Sequence, residues 1–191
     1  VYLHGGAYVY GAGDAGVYEA ALIAGRLGIR VVSVDYRMPP EHPFPAAVDD
    51  SVAVYRALLE NHRAGAVAIG GTSAGAGLAL ATVHALRARA LPFPGAIYAG
   101  TPWADLTRTG DTLYTLEGID RALVSYDGVL AAAARLYAGD VPLEDPLLSP
   151  VNGDFSGFPP TYLVTGTRDL FLSDTARVHR MLRRAGVPAD L

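Results

Sequence analysis

Gly71-Thr72-Ser73-Ala74-Gly75 lies between an apolar run, Ala66-Val67-Ala68-Ile69-Gly70, and a helix-period run from Ala76 to Arg89. The order is strand, sharp turn, helix, with a serine at the apex. Glycines two residues either side of Ser73 let the turn lie close to strand and helix without side chains, as a strained serine backbone requires. The hydroxyl then points off the carboxyl edge of the sheet, and the following helix N-terminus favours negative charge developing there. The pentapeptide alone does not separate a nucleophile from an ordinary strand-to-helix turn. Gly71-x-x-x-Gly75-x-Gly77 also has the outline of a phosphate-cradling turn of short-chain dehydrogenases. All fifteen basic residues are arginine, so the Tyr-x-x-x-Lys pair of that chemistry, a P-loop and a Schiff-base lysine are all excluded.

Working outward, His4-Gly5-Gly6-Ala7-Tyr8 follows the apolar opening Val1-Tyr2-Leu3. Two successive glycines allow backbone N–H groups to converge on one point, or simply make a tight turn. Val17 to Leu27 has helical period, which predicts Leu22, Ile23 and Leu27 facing inward. Val31-Val32-Ser33-Val34-Asp35 reads as a buried parallel strand. The proline-rich stretch 36–45 excludes helix and central strand. Ala46 to His62 reads as a helix burying Val48, Val52, Tyr55 and Leu59, with Asp49 and Asp50 as capping and surface charge. Gly95 to Ala99 is a further strand. Residues 101–123 lose all periodicity, which predicts a long loop at a rim, and Val129 to Tyr137 is a helix. Thr161 to Gly166 is a strand, and Asp169 follows it directly, at the strand end where open α/β sheets carry their chemistry. The same aspartate is compatible with a plain turn residue. A helix over about 173–185 buries Val178, Met181, Leu182 and Ala185. Strands and helices alternate throughout, so the predicted fold is a doubly wound, mainly parallel α/β sheet in one domain.

Composition narrows the function classes. A net charge of −4 gives no reason to expect a nucleic-acid partner, and no apolar run is long enough for a membrane span. Cysteine is absent, which excludes disulfides and thiolate metal sites and fits a cytoplasmic protein. Both termini read as cuts through a domain, so the chain is expected to be a fragment.

In order along the chain stand His4-Gly5-Gly6, Tyr36-Arg37, Pro40-Glu41-His42-Pro43-Phe44-Pro45-Ala46-Ala47, Gly71-Thr72-Ser73-Ala74-Gly75, Asp145-Pro146-Leu147 and Asp169-Leu170. Together they resemble the hormone-sensitive-lipase family of α/β-hydrolases, in its GTSAG branch. The resemblance implies an α/β-hydrolase fold and a carboxylesterase acting on short-to-medium acyl esters. Ser73 then resembles the nucleophile and Asp169 the triad acid. The N–H groups of Gly5, Gly6 and Ala7 with that of Ala74 resemble the oxyanion hole, although Ala7-Tyr8 departs from the usual Gly-Trp or Gly-Gly. It implies no metal or organic cofactor, a small-molecule ester as partner, and a cap-like rim insertion over roughly 101–140, and it is compatible with a homodimer. A non-catalytic small-molecule-binding protein on the same fold is the alternative.

The triad histidine is the missing part. His4 is committed to the glycine turn, His42 and His62 are expected to be structural or solvated, and His179 is expected to be solvated on the arginine face of its helix. His84 falls about 16 Å along the helix axis from Ser73. The base is therefore expected beyond Leu191, and the chain as given is expected to be inactive, with 161–166 as an unprotected sheet edge.

Overall fold

In a computed structural model describing residues 1–191, six strands form one sheet in the order β2-β1-β3-β4-β5-β6. They are β1 (Tyr2–Leu3), β2 (Ser33–Val34), β3 (Ala68–Thr72), β4 (Ala96–Gly100), β5 (Thr161–Val164) and β6 (Ala189–Asp190). Every pairing is parallel. The doubly wound α/β sheet expected from the alternation of elements is the fold. Six α-helices accompany it: α1 (Tyr18–Leu27), α2 (Ala46–Leu59), α3 (Ala74–Ala88), α4 (Thr112–Thr115), α5 (Val129–Ala138) and α6 (Leu172–Arg184). No helix is long and apolar enough to cross a membrane.

Strand alternation assigns the two faces. Ile69 of β3, Ile97 and Ala99 of β4 and Leu163 of β5 join the main core with the buried sides of α2, α3 and α6. On the opposite face the Tyr2 hydroxyl donates to Glu19 of α1 and lies 3.2 Å from the Thr72 hydroxyl. Helices therefore flank both sides. Helix α3 runs through the centre, and every residue from Ala74 to Leu86 is buried. Its small residues permit this: a Cβ at Gly77 would overlap the Trp103 carbonyl oxygen.

Several expectations need correction. In α1 the stripe toward the protein is Ala20, Ile23 and Ala24, while Leu22 and Leu27 are 47% and 66% exposed. Leu22 falls about 100° round the helix from Ile23, so periodicity located the helix but placed its buried stripe wrongly. The run Val31 to Asp35 contributes only two paired residues, because β2 is outermost with a single neighbour and Asp35 is exposed. Strand β5 is not a bare edge: Thr161 and Tyr162 pair with Ala189 and Asp190. His179 is half-buried rather than solvated, its Nε2 lying 3.3 Å from the Ala189 carbonyl oxygen. Residues 101–106 leave the end of β4 but are mostly core, with Trp103 fully buried and stacked on Phe171.

His84 shows what this burial costs. Its ring packs on Phe155 and Phe158, and Nε2 lies 3.1 Å from the Pro150 carbonyl oxygen. Burial pushes its pKa down to about 4. The unfolded chain therefore takes up this proton first. The stabilisation is whole above the ordinary histidine value, about 6.5, and is lost as pH falls toward 4. Unfolding free energy is expected to fall by about 3 kcal/mol across that window through this group. Urea titrations of wild type and His84→Gln at several pH values check it: the difference between the two should change with that slope, and a pH-independent difference would contradict it.

Candidate active site

Strand β3 delivers Ser73 to the carboxyl edge of the sheet. Its backbone sits at φ 57°, ψ −124°, a region L-residues avoid unless the surroundings hold them there. The hold is visible. The Ser73 N–H donates to the Gly100 carbonyl at 2.8 Å, and the Ser73 carbonyl accepts from Ala76, Gly77 and Trp103. A Cβ at Gly71 or at Gly75 would overlap the Leu3 carbonyl oxygen, and one at Gly75 would also crowd that of His4. The two glycines flanking the serine are thus required by the approach of β1. Gly75→Ala is expected to displace β1 or the elbow at a cost of about 3 kcal/mol or more, read as a lowered denaturant midpoint. A midpoint within error of wild type would show that the approach is not tight.

The turn after β1 carries the glycine pair to the same place. Gly5 is close enough that a Cβ there would lie 3.3 Å from the Ser73 Cβ. Gly6, Ala7 and Tyr8 follow at φ 120°, 53° and 64°, and the turn closes with Val9 and Tyr10 donating to the Gly6 carbonyl. The N–H groups of Gly5, Gly6, Ala7 and Ala74 donate to no carbonyl or side chain of the protein. Ala74 is also the first residue of α3, so the positive end of that helix adjoins Ser73. Tyr8, part of the Ala7-Tyr8 departure from the usual pair, turns into the core and stacks on Tyr137 at 4.1 Å.

Asp169 enters from the far side. Ser73 and Asp169 line one open cleft of about 500 Å³, together with Thr101, Phe171, Gly166, Arg168 and residues 119–123. The Asp169 carboxylate accepts the Phe171 N–H at 2.8 Å and the hydroxyls of Thr165 and Thr101. Ser73 Oγ makes no hydrogen bond and the residue is part-exposed. Asp120, also on the cleft wall, was not singled out in the sequence. Burial works to raise its pKa, but the N–H groups of Leu123, Leu170 and Ala122 prevail and hold it below the usual carboxylate range. Asp120 thereby ties the rim at 119–123 to the segment carrying Asp169. Nothing in the local sequence marks it, or Thr101, as different from any turn residue.

None of the five histidines joins the pair. His4 stacks on Tyr36 and directs Nδ1 to its neighbour, 2.7 Å from the Gly5 carbonyl oxygen. His42 and His62 are exposed, as expected. His84 and His179 are held in the contacts described above. The acids that could compete with Asp169 are engaged elsewhere: Asp145 accepts the Leu147 N–H, and Asp174 accepts those of Ala104 and Asp105. No cluster of His, Cys, Asp and Glu has metal-binding geometry.

The chain is similar to known proteins in sequence and in fold. A family model described as "alpha/beta hydrolase fold" matches residues 1–191. An acetyl-hydrolase of Streptomyces hygroscopicus is 39% identical over 98% of the chain, and an esterase of Acinetobacter venetianus is 33% identical over 97%. The crystal structure of an esterase, E25, superposes over the whole chain with a TM-score of 0.96 at 53% identity. That of a hormone-sensitive lipase from a metagenome library gives 0.94 at 36%. The chain spans 62% and 61% of the two sequence relatives and 59% and 65% of the two structures.

Proposed function

The chain belongs to the alpha/beta-hydrolase fold family, and from that premise we propose that it carries the nucleophile and the acid of a carboxylic ester hydrolase. The observation that carries the reading is the meeting of Ser73 and Asp169 in one cleft, beside backbone N–H groups with no partner of their own.

In this mechanism Ser73 Oγ attacks the ester carbonyl carbon while a histidine takes its proton. The carbonyl oxygen becomes an oxyanion and accepts from N–H groups among Gly5, Gly6 and Ala7 and from that of Ala74. One such donor contributes about 3–4 kcal/mol to lowering the barrier. Collapse expels the alcohol, which takes the proton from the histidine, and leaves an acyl-Ser73. Water then attacks the acyl carbon by the same route in reverse, giving the carboxylic acid and free Ser73. Asp169 holds the histidine in the tautomer that accepts at the nitrogen facing Ser73. Since the five histidines of these residues are engaged elsewhere or exposed, that base is assigned to sequence outside them.

Residues 119–123 form the rim; the cap-like stretch expected over roughly 101–140 narrows to them, because residues 102–106 and the buried side of α5 belong to the core. Ile119, Leu123 and Phe171 give the cleft an apolar wall of modest extent, which suits short-to-medium acyl chains. The test is hydrolysis of p-nitrophenyl acetate, butyrate and palmitate by the full-length gene product. Acetate and butyrate esters should turn over with an initial burst, and palmitate poorly. The placement of the histidines favours one second reading, a binding protein on the same fold; it would bind ester and turn over none of the three.

A further inference from the structure

Beneath the pair lies a group of charges that the mechanism leaves unused. Asp174, in the first turn of α6, is 1% exposed. Its Oδ2 accepts the N–H groups of Ala104 at 3.1 Å and Asp105 at 3.0 Å. Asp105, equally buried, accepts in turn from the Thr107 N–H and from the Thr107, Thr109 and Arg177 side chains. Arg177 stands one turn along α6 from Asp174, its guanidinium 3.8 Å from Asp174 Oδ1.

The segment they hold is the one that joins the two proposed catalytic residues. At its start the Thr101 hydroxyl donates to Asp169. Two residues on, the Trp103 N–H donates to the Ser73 carbonyl at 3.1 Å, and the Trp103 ring stacks on Phe171, two residues past Asp169. At its end the Leu106 N–H donates to Ser149 Oγ at 2.8 Å. A shift of residues 101–106 would therefore move the Ser73 backbone and the Asp169 carboxylate relative to each other. Asp174 directly, and Arg177 through Asp105, fix this segment to α6 near its midpoint.

We propose that Asp174, Asp105 and Arg177 are positioning residues: they clamp residues 101–106 onto α6 and so set the separation of Ser73 and Asp169. The inference rests on the roles given to those two residues above. Two buried carboxylates facing one guanidinium do not both ionise readily. Burial first, and then Asp105, push the Asp174 pKa up to about 8. Through Oδ2, Asp174 serves as the common acceptor of two N–H groups. An asparagine reproduces that acceptor; an alanine leaves both N–H groups buried without one.

The test compares Asp174→Asn, Asp174→Ala and Arg177→Gln in the full-length gene product. Asp174→Ala is expected to lower kcat about 10- to 100-fold, since small misplacements of reacting groups have effects of this size. KM for p-nitrophenyl butyrate should hold, and Asp174→Asn should stay near wild type. Amide hydrogen exchange at Ala104 and Asp105 should accelerate in Asp174→Ala and not in Asp174→Asn. If Asp174→Ala does not fold, Arg177→Gln, at a half-exposed position, should still lower kcat with exchange at Asp105 quickened. Equal losses in Asn and Ala, or wild-type kcat with accelerated exchange, would overturn the proposal. If wild type itself hydrolyses no ester, the reading of Ser73 fails, and the exchange data still decide whether the clamp exists.

Discussion

Replacing Ser73 with alanine is expected to remove ester hydrolysis, with kcat falling by at least about 10³-fold and by as much as about 10⁶-fold. The size follows from the chemistry. Without Oγ no acyl-enzyme forms, and what survives is the modest acceleration from the N–H groups and the cleft. The fold should not notice. Ser73 Oγ donates to nothing, and alanine keeps the Cβ that lies against Gly5. The unusual backbone at φ 57° is held by bonds through the Ser73 N–H and carbonyl, which alanine also has. Unchanged thermal unfolding with abolished turnover is therefore the expected pair of results. Substantial residual kcat would remove Ser73 from the role of nucleophile.

Asp169→Asn is expected to lower kcat by about 10⁴-fold with KM little changed. The carboxylate makes contacts that an amide can keep. The asparagine oxygen can accept the Phe171 N–H, and its NH2 can face the hydroxyls of Thr165 and Thr101, which accept as well as donate. What an amide cannot do is accept from a histidine N–H on the side where it presents its own donor. The base is then held in the wrong tautomer. A loss within about tenfold would mean that Asp169 does not orient the base. Asp145 and Asp174 are poor substitutes, because neither lines the cleft that holds Ser73 and Asp169.

The parts of this site that could be read from sequence are those with a local cause. Gly71 and Gly75 are glycine because the Leu3 carbonyl oxygen occupies the space of their side chains, and a close approach of that kind always leaves small residues at fixed spacing. Asp169 was legible because it directly follows a strand. The oxyanion turn was legible through Gly5 and Gly6. Thr101, Asp120 and Asp174 were not, since each acts across 50 or more residues of chain and sits locally in an ordinary turn or helix start. The same limit explains α1. Periodicity gave a helix over 17–27, but which stripe is buried depends on the partner it meets. Ala20 is buried and Glu19 accepts from the Tyr2 hydroxyl, while Leu22 and Leu27 are left exposed. Strand β6 and the placement of His179 against it depend on two paired residues, too few to leave a pattern.

Covalent labelling with a fluorophosphonate tests the assignment of Ser73 most directly, because the probe reacts with a serine only where base and oxyanion site are assembled around it. Trypsin releases residues 64–87 as one peptide, and Ser73 is the single serine within it. The full-length gene product should carry one probe per chain on that peptide, and Ser73→Ala should carry none. A label on any other peptide, or undiminished labelling of Ser73→Ala, would contradict the assignment.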